Sequence, residues 1–138
     1  GAGLGENARA ALITRGLAEI TRLACALGGQ AATLAGLAGL GDLLLTCTGD
    51  QSRNYRMGLA LGGGASTTDA LASLPGVAEG VTTADALVTL AAQAGVDAPI
   101  TQCIAAFLSG RLTLSHAQAL LLSRPLKEEY ASPTASAH

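Results

Sequence analysis

Apolar residues recur at helical spacing along this chain, and glycine or proline closes most of the segments in which they do so. In the first segment they follow one another at intervals of four, three, four and three positions: Ile13, Leu17, Ile20, Ala24 and Leu27. This is the period of an amphipathic α-helix, and Arg15, Glu19 and Arg22 share another face of it. The helix is expected to begin at Asn7 and to stop at the glycine pair 28–29.

The rest of the chain repeats this pattern in shorter segments. We expect further helices within residues 30–37, 43–47, 52–61, 66–75, 82–94, 99–110 and 114–122. Residues 43–47 could also form a strand, but no second strand-like run is present to pair with them. The sequence therefore predicts an all-α domain of seven or eight helices over residues 1–129, and a small polar tail, 130–138, that we expect to be disordered.

Composition and charge argue against several classes of function. The chain is 49% hydrophobic but only 2% aromatic, so its core must be built from Leu, Ala, Val and Ile. The formal net charge is −2 without a run of basic residues, which argues against nucleic-acid binding. No apolar stretch reaches the roughly 18–20 residues that span a bilayer, so no membrane span is expected.

The three cysteines give no sign of metal binding or catalysis. Cys25, Cys47 and Cys103 are far apart in the sequence, without a CxxC pair or a histidine nearby. Free cysteine is among the most buried residue types, so we interpret all three as reduced thiols of the core. This interpretation favours a cytoplasmic protein without a metal site.

Two glycine motifs and two histidines look functional but have simpler explanations. The opening GAGLGE imitates a dinucleotide-binding GxGxxG, yet its sixth residue is Glu6 and no βαβ unit follows. The glycines at 62–64 separate the end of one helix from the cap of the next, at Ser66. His116 lies in an ordinary helical stretch and His138 in the tail, and neither has a catalytic partner in the sequence. Because the chain opens without a methionine, we expect it to be a piece of a longer protein.

The stretch GDLLLTCTGDQSRNYR, residues 41–56, gathers polar residues around a predicted helix start. Backbone N–H groups of a first helical turn bind anions, assisted by the positive end of the helix dipole. Ser52, Arg53 and Asn54 add a hydroxyl, a guanidinium and an amide, a set that suits a phosphate. Asp42 can accept hydrogen bonds from hydroxyls, so the stretch indicates a site for a phosphorylated polyol.

The same residues also have a purely structural interpretation. Asp50 or Ser52 can be the N-cap of the helix while Arg53 and Arg56 are solvated. Asp42 can simply begin a buried helical turn. Glu79 poses the same choice, because it is either a first-turn carboxylate of the next helix or a ligand for ribose hydroxyls. Local physics leaves both interpretations open.

Longer motifs carry a resemblance to a known family. In chain order they are ENARAALITRGLAEITRL, LAGLGDLLLTCTGDQSRN, GLALGGG, VAEGVTTADAL, PITQ and LLSRPLKEE. Together they closely resemble the C-terminal domain of bacterial NAD(P)-dependent sn-glycerol-3-phosphate dehydrogenases, over residues 3–129. The resemblance implies interconversion of dihydroxyacetone phosphate and sn-glycerol 3-phosphate for phospholipid synthesis, with NAD or NADP as cofactor. It also implies the helical fold shared with the C-terminal domain of 6-phosphogluconate dehydrogenase.

The resemblance assigns roles to individual residues. Asp42 matches an aspartate that contacts the substrate near its reacting carbon and orients the general acid/base lysine of the family. That lysine would lie upstream of this chain. Ser52, Arg53 and Asn54 match the substrate-binding Ser-Arg-Asn, and Arg53 also matches an arginine that reaches the dinucleotide.

The resemblance further implies that this chain is one half of an enzyme. The cofactor would be held mainly by an N-terminal Rossmann domain, absent from this chain, and Val77 and Glu79 match positions that touch the cofactor from the C-terminal side. The only lysine here, Lys127, does not match the catalytic one. The isolated fragment is therefore expected to be inactive. The alternative is a non-catalytic helical module that self-associates through Ala-rich faces, and a homodimer is compatible with either interpretation.

Overall fold

The computed structural model describes residues 1–76 and 78–123. Over these residues the chain forms eight α-helices and one π-helical turn, and no strand. The elements are α1 (Glu6–Ala26), α2 (Ala31–Leu34), the π-turn (Leu37–Gly41), α3 (Asp42–Thr48), α4 (Arg53–Gly62), α5 (Thr67–Ser73), α6 (Glu79–Gln93), α7 (Pro99–Leu108) and α8 (Leu114–Ser123). The all-α prediction is confirmed, whereas the predicted boundary at 129 and the tail 130–138 lie outside the described residues.

Local sequence signals explain where several of these helices begin. Ser66 caps α5, because its Oγ accepts a hydrogen bond from the Asp69 N–H at 3.1 Å and donates one to the Asp69 carboxylate at 2.6 Å. Pro99 occupies the first position of α7, where its missing N–H costs nothing. The ambiguous segment 43–47 lies within α3 and is helical, as predicted.

The core is built mainly from small side chains. Met57, Leu61, Ala70 and Ala78 form its central cluster, with Phe107 packed against it. Most of the other buried residues are also alanines: Ala84, Ala91, Ala98, Ala105 and Ala117. Small residues let helix backbones approach closely, and α6 and α7 make the most extensive contact between helices. None of the helices described is both long and apolar enough to cross a membrane.

The polar face of α1 is joined to distant helices rather than left to solvent. The Glu19 carboxylate is 4% exposed and accepts hydrogen bonds from the N–H groups of Ile100 and Thr101, at 2.9 and 2.8 Å, and from the Thr101 hydroxyl at 2.6 Å. Glu19 thus caps the start of α7 from another helix. The Arg15 guanidinium donates to the carbonyl of Leu121 in α8. These contacts fix α7 and α8 against α1.

The π-turn sets the direction in which α3 begins. Its Gly39 is buried against the backbone of Leu34, where a Cβ on residue 39 would collide with the Leu34 carbonyl. The turn runs directly into Asp42, the first residue of α3. π-Helical turns of this kind occur frequently beside functional sites.

Candidate functional site

The first turn of α4 carries three of the polar residues selected from the sequence. Ser52 has extended backbone angles, and its Oγ accepts a hydrogen bond from the Tyr55 N–H at 3.2 Å. Ser52 is therefore the N-cap of α4. The N–H groups of Arg53 and Asn54, at the first two helical positions, have no acceptor within the helix and point out from its positive end. The structural and the anion-binding interpretations are compatible at this helix start.

Arg53 and Asn54 both reach the segment that leads into α6. The Asn54 Oδ1 accepts a hydrogen bond from the Gly80 N–H at 3.1 Å. The Arg53 guanidinium lies beside Gly76, and its Nη2 is 3.9 Å from the Glu79 Oε1. The Arg53 and Glu79 side chains are 48% and 77% exposed, so solvent screens this ion pair and it adds little stability. Together the contacts hold the start of α4 beside the start of α6.

An open cavity of about 510 Å³ lies at these two helix starts. It is lined by the end of α3, the loop before α4, the first turn of α4 and the first residue of α6: Leu45, Thr46, Gly49, Gln51, Ser52, Arg53, Asn54 and Glu79. Its volume is within the range of small-molecule sites and ample for a three-carbon phosphate. The wall offers a guanidinium, two amides and hydroxyls together with one carboxylate, a set that can bind a phosphate and nearby hydroxyls.

Asp42 lies on the same helix as part of this wall but does not line the cavity itself. It is exposed at the start of α3, and Leu45 and Thr46 follow it by three and four residues. Residues at these spacings share one face of a helix. Asp42 therefore lies one helical turn from the cavity wall, on its side of α3.

A second cavity, of about 530 Å³, adjoins the first at Thr46 and Asn54, which line both. Apolar side chains of α1, α3, α4 and α7 form most of its wall, including Ile13, Leu43, Leu59 and Ile104. The predicted apolar face of α1 contributes to this wall. This face is not fully buried, as the 44% exposure of Ile20 shows.

The structure thus brings together most of the residues singled out from the sequence. Ser52, Arg53, Asn54 and Glu79 line one cavity. Val77 lies outside the described residues.

Sequence reasoning missed Thr46, Gly76 and Gly80. Thr46 could have been found from its position four residues after Asp42, on the same helical face. The two glycines gave no signal, since their contacts with Arg53 and Asn54 exist only in the folded chain.

The cysteines occupy three different environments. Cys103 is buried as predicted, whereas Cys25 is exposed on α1 and the prediction of a core thiol is wrong there. Cys47 is half-buried beside the apolar cavity, and burial raises the pKa of its thiol. A raised pKa disfavours the reactive thiolate, so Cys47 is not suited to be a nucleophile at neutral pH. Among the described residues, no three His, Cys, Asp or Glu side chains are grouped to hold a metal ion.

Comparisons with known proteins agree on one family. The family model for the NAD-dependent glycerol-3-phosphate dehydrogenase C-terminus matches residues 1–119. The glycerol-3-phosphate dehydrogenase [NAD(P)+] of Caulobacter vibrioides is 57% identical over 129 residues, which are 94% of this chain and 39% of that protein. The enzyme of the same name from Gluconobacter oxydans is also 57% identical over 129 residues, covering 94% of this chain and 40% of that protein.

A solved structure agrees with these relatives. The 2.1 Å crystal structure of glycerol-3-phosphate dehydrogenase from Coxiella burnetii superposes with a TM-score of 0.85 and 46% sequence identity. The match covers 89% of this chain and 38% of that one. The present chain therefore spans about two fifths of the length of the relatives that it matches.

Proposed function

This chain belongs to the family of NAD-dependent glycerol-3-phosphate dehydrogenases, and we propose that it is the half of such an enzyme that holds the substrate. The reaction is the NAD(P)-dependent interconversion of dihydroxyacetone phosphate and sn-glycerol 3-phosphate. The observation that carries this proposal is the cavity at the start of α4, where Ser52, Arg53 and Asn54 line one wall. We also assign the enzyme to the cytoplasm and to glycerophospholipid synthesis.

The start of α4 binds the phosphate of the substrate in this proposal. The Arg53 guanidinium can present two parallel donors to phosphate oxygens. Such a charged, two-point contact is stronger than a hydrogen bond between neutral groups. The helical N–H groups of Arg53 and Asn54 add donors at the positive end of the helix dipole. Asn54 contributes its Nδ2, because its Oδ1 is already engaged by the Gly80 N–H.

The other end of the substrate faces α3. Asp42 accepts a hydrogen bond from a substrate hydroxyl. Thr46, one turn further along α3, lines the cavity and can hydrogen-bond to the substrate through its own hydroxyl. Asp42 also pairs with the ammonium of the general acid/base lysine that the family resemblance implies. A carboxylate in this role keeps the lysine charged and aimed at the substrate oxygen.

Two residues of the described chain fit a dinucleotide at the rim of the same cavity. The Glu79 carboxylate can accept hydrogen bonds from ribose hydroxyls, and Arg53 can pair with a phosphate of the cofactor. Val77 is the third residue proposed to contact the cofactor. When bound, NAD or NADP supplies the hydride, while this half of the enzyme supplies the placement of the ketone.

The surface beside the cavity supports a neighbouring cofactor-binding domain. Leu37, Leu44 and Leu45 are 91%, 42% and 72% exposed on the π-turn and α3. These two elements are consecutive, and exposed apolar residues on neighbouring elements are typical of interaction surfaces. A dinucleotide held by a domain against this surface would bring its nicotinamide to the substrate cavity. We therefore expect no turnover from the 138-residue chain alone.

A helical interaction module is the second candidate, because the apolar cavity is open to solvent. Ile20, Leu59 and Ile104 around it are 44%, 42% and 37% exposed. Such a module predicts a self-associating chain, with a homodimer as its simplest form. Light scattering on the chain, together with a phosphate titration, separates this module from the enzyme.

The test is turnover by a chimaera. This chain replaces the aligned 38% of the Coxiella burnetii glycerol-3-phosphate dehydrogenase, and NADH or NADPH oxidation is followed with dihydroxyacetone phosphate. We expect turnover by the chimaera and none by the chain alone. Turnover by the chain alone would contradict the proposed division of labour.

Arg53→Ala in the chimaera should lower kcat/KM about tenfold to hundredfold, the cost of one charge-assisted contact to phosphate. Arg111→Ala is the matched control, because Arg111 pairs with Asp85 at 3.8 Å and does not line the cavity. Equal kinetics for the two variants would refute the assignment of the phosphate to the start of α4.

A further inference from the structure

Gly80 lies directly against the carboxamide of Asn54. Its N–H donates to the Asn54 Oδ1 at 3.1 Å, and a Cβ added to residue 80 would lie 3.0 Å from that oxygen and 3.4 Å from the Asn54 Cγ. The separation from the oxygen is tighter than ordinary van der Waals contact. A side chain at position 80 would therefore shift the carboxamide by a few tenths of an ångström.

Gly76 stands in the same relation to Arg53. A Cβ added to Gly76 would lie 2.9 Å from the Arg53 Nη1 and 3.7 Å from its Cδ. The guanidinium is the far end of a flexible side chain, so it is the group that would move. Gly76 also has φ +84°, a backbone conformation that only glycine adopts without strain.

We propose that Gly76 and Gly80 are positioning residues of the substrate cavity, a proposal that rests on the proposed function. The missing side chain at 76 leaves the space that the Arg53 guanidinium occupies at the cavity wall. The N–H of Gly80 fixes which way the Asn54 carboxamide is turned, because only its oxygen can accept, and this leaves the Nδ2 as the donor for phosphate. Both glycines thus act on the ligand through another residue.

A purely structural role predicts something different for Gly80. It is the second residue of α6 and does not have a positive φ, so alanine suits its backbone and favours the helix. If Gly80 served only the fold, Gly80→Ala would leave phosphate binding unchanged. In the positioning role, the same substitution weakens phosphate binding while stability is kept or raised.

The chain provides a matched control for each substitution. Gly16 is a helical glycine of α1 with open space around its Cβ position, so Gly16→Ala controls for helix propensity. Gly64 has φ +96° and likewise nothing within 4 Å, so Gly64→Ala reproduces the backbone strain of Gly76→Ala without touching a guanidinium. Neither control residue lines the phosphate cavity.

The experiment titrates the 138-residue chain and its four variants with sn-glycerol 3-phosphate and with glycerol, following backbone and Asn side-chain amides by NMR. Thermal unfolding of each variant is recorded in parallel. We expect Gly80→Ala to raise the Kd for sn-glycerol 3-phosphate about three- to tenfold without a loss of Tm, because the contact of Asn54 with phosphate is weakened rather than removed. Gly76→Ala should raise it about tenfold or more, because a charged contact is displaced.

The outcomes separate this inference from the proposed function. Wild-type chain that shows no shifts at residues 52–54 with sn-glycerol 3-phosphate would overturn both. A second outcome would overturn the positioning role alone. The wild-type chain would bind sn-glycerol 3-phosphate, and the two site variants, Gly76→Ala and Gly80→Ala, would bind it as tightly as their controls, Gly64→Ala and Gly16→Ala. Weaker binding of sn-glycerol 3-phosphate by the two site variants, with both controls unchanged and no comparable change for glycerol, supports it.

Discussion

Replacing Glu19 by alanine should destabilise this fold far more than replacing any exposed acidic residue. Its carboxylate is 4% exposed and accepts three hydrogen bonds from the first turn of α7, two from the N–H groups of Ile100 and Thr101 and one from the Thr101 hydroxyl. The two N–H groups belong to a helix start and have no partner within the helix. One side chain of α1 therefore satisfies the start of a helix some 80 residues away.

The magnitude follows from these three contacts. A hydrogen bond to a charged acceptor contributes a net of about 1.5–3 kcal/mol. The three share one carboxylate, and the apolar cavity beside Glu19 can admit water to the freed N–H groups, so the full sum will not be lost. We expect Glu19→Ala to lower the free energy of unfolding by about 3 kcal/mol, a large share of the roughly 5–15 kcal/mol of a typical domain. Glu19→Gln, which keeps one acceptor oxygen, should cost about 1–2 kcal/mol.

The assay is urea unfolding followed by far-UV circular dichroism, with amide hydrogen exchange of residues 100–102 as a local readout. Glu6→Ala is the control, because Glu6 lies on the same helix but its side chain is 80% exposed. We expect Glu19→Ala to lose most stability, Glu19→Gln less and Glu6→Ala least, with faster exchange at the start of α7 in the Glu19 variants. Equal losses for Glu19→Ala and Glu6→Ala would refute the capping role.

Two further predictions concern the caps and the thiols. Ser52→Ala and Ser66→Ala should each lower the free energy of unfolding in urea by about 1 kcal/mol, because each removes an N-cap. Only Ser52→Ala should also weaken binding of sn-glycerol 3-phosphate. Equal weakening by both variants would contradict the assignment of Ser52 to the substrate site. Iodoacetamide should label exposed Cys25 before Cys47 and Cys103, and labelling of Cys47 should rise as pH approaches its raised pKa. Because burial disfavours the Cys47 thiolate, the stability of the fold should fall as pH rises from the ordinary thiol pKa through the raised pKa of Cys47. Labelling of Cys47 ahead of Cys25 would contradict the predicted order of reactivity.

Features set by neighbouring residues were predictable from the sequence. The start of α4 follows from Ser52 and that of α7 from Pro99, since each signal acts within one helical turn. The helical state of α3 was predicted from the lack of a strand to pair with it. The polar residues at 52–54 were found because a helix start binds anions for local reasons.

Features set by distant residues were not predictable. Glu19 and Thr101 are 82 positions apart and Asn54 and Gly80 are 26 apart, and no periodicity connects either pair. The π-turn depends on the close approach of Gly39 to Leu34, which spacing alone does not indicate. The spacing in α1 identified its apolar face but not that Ile20 would remain exposed, because periodicity does not indicate what covers a face.

The most direct test of the account is a crystal structure of this chain with sn-glycerol 3-phosphate. We expect the phosphate within hydrogen-bond distance of the Arg53 guanidinium and the Asn54 Nδ2, and the hydroxyl end of the ligand directed toward Asp42 and Thr46. A phosphate bound elsewhere, or Asp42 and Arg53 too far apart for one three-carbon molecule to lie between them, would contradict the central claim.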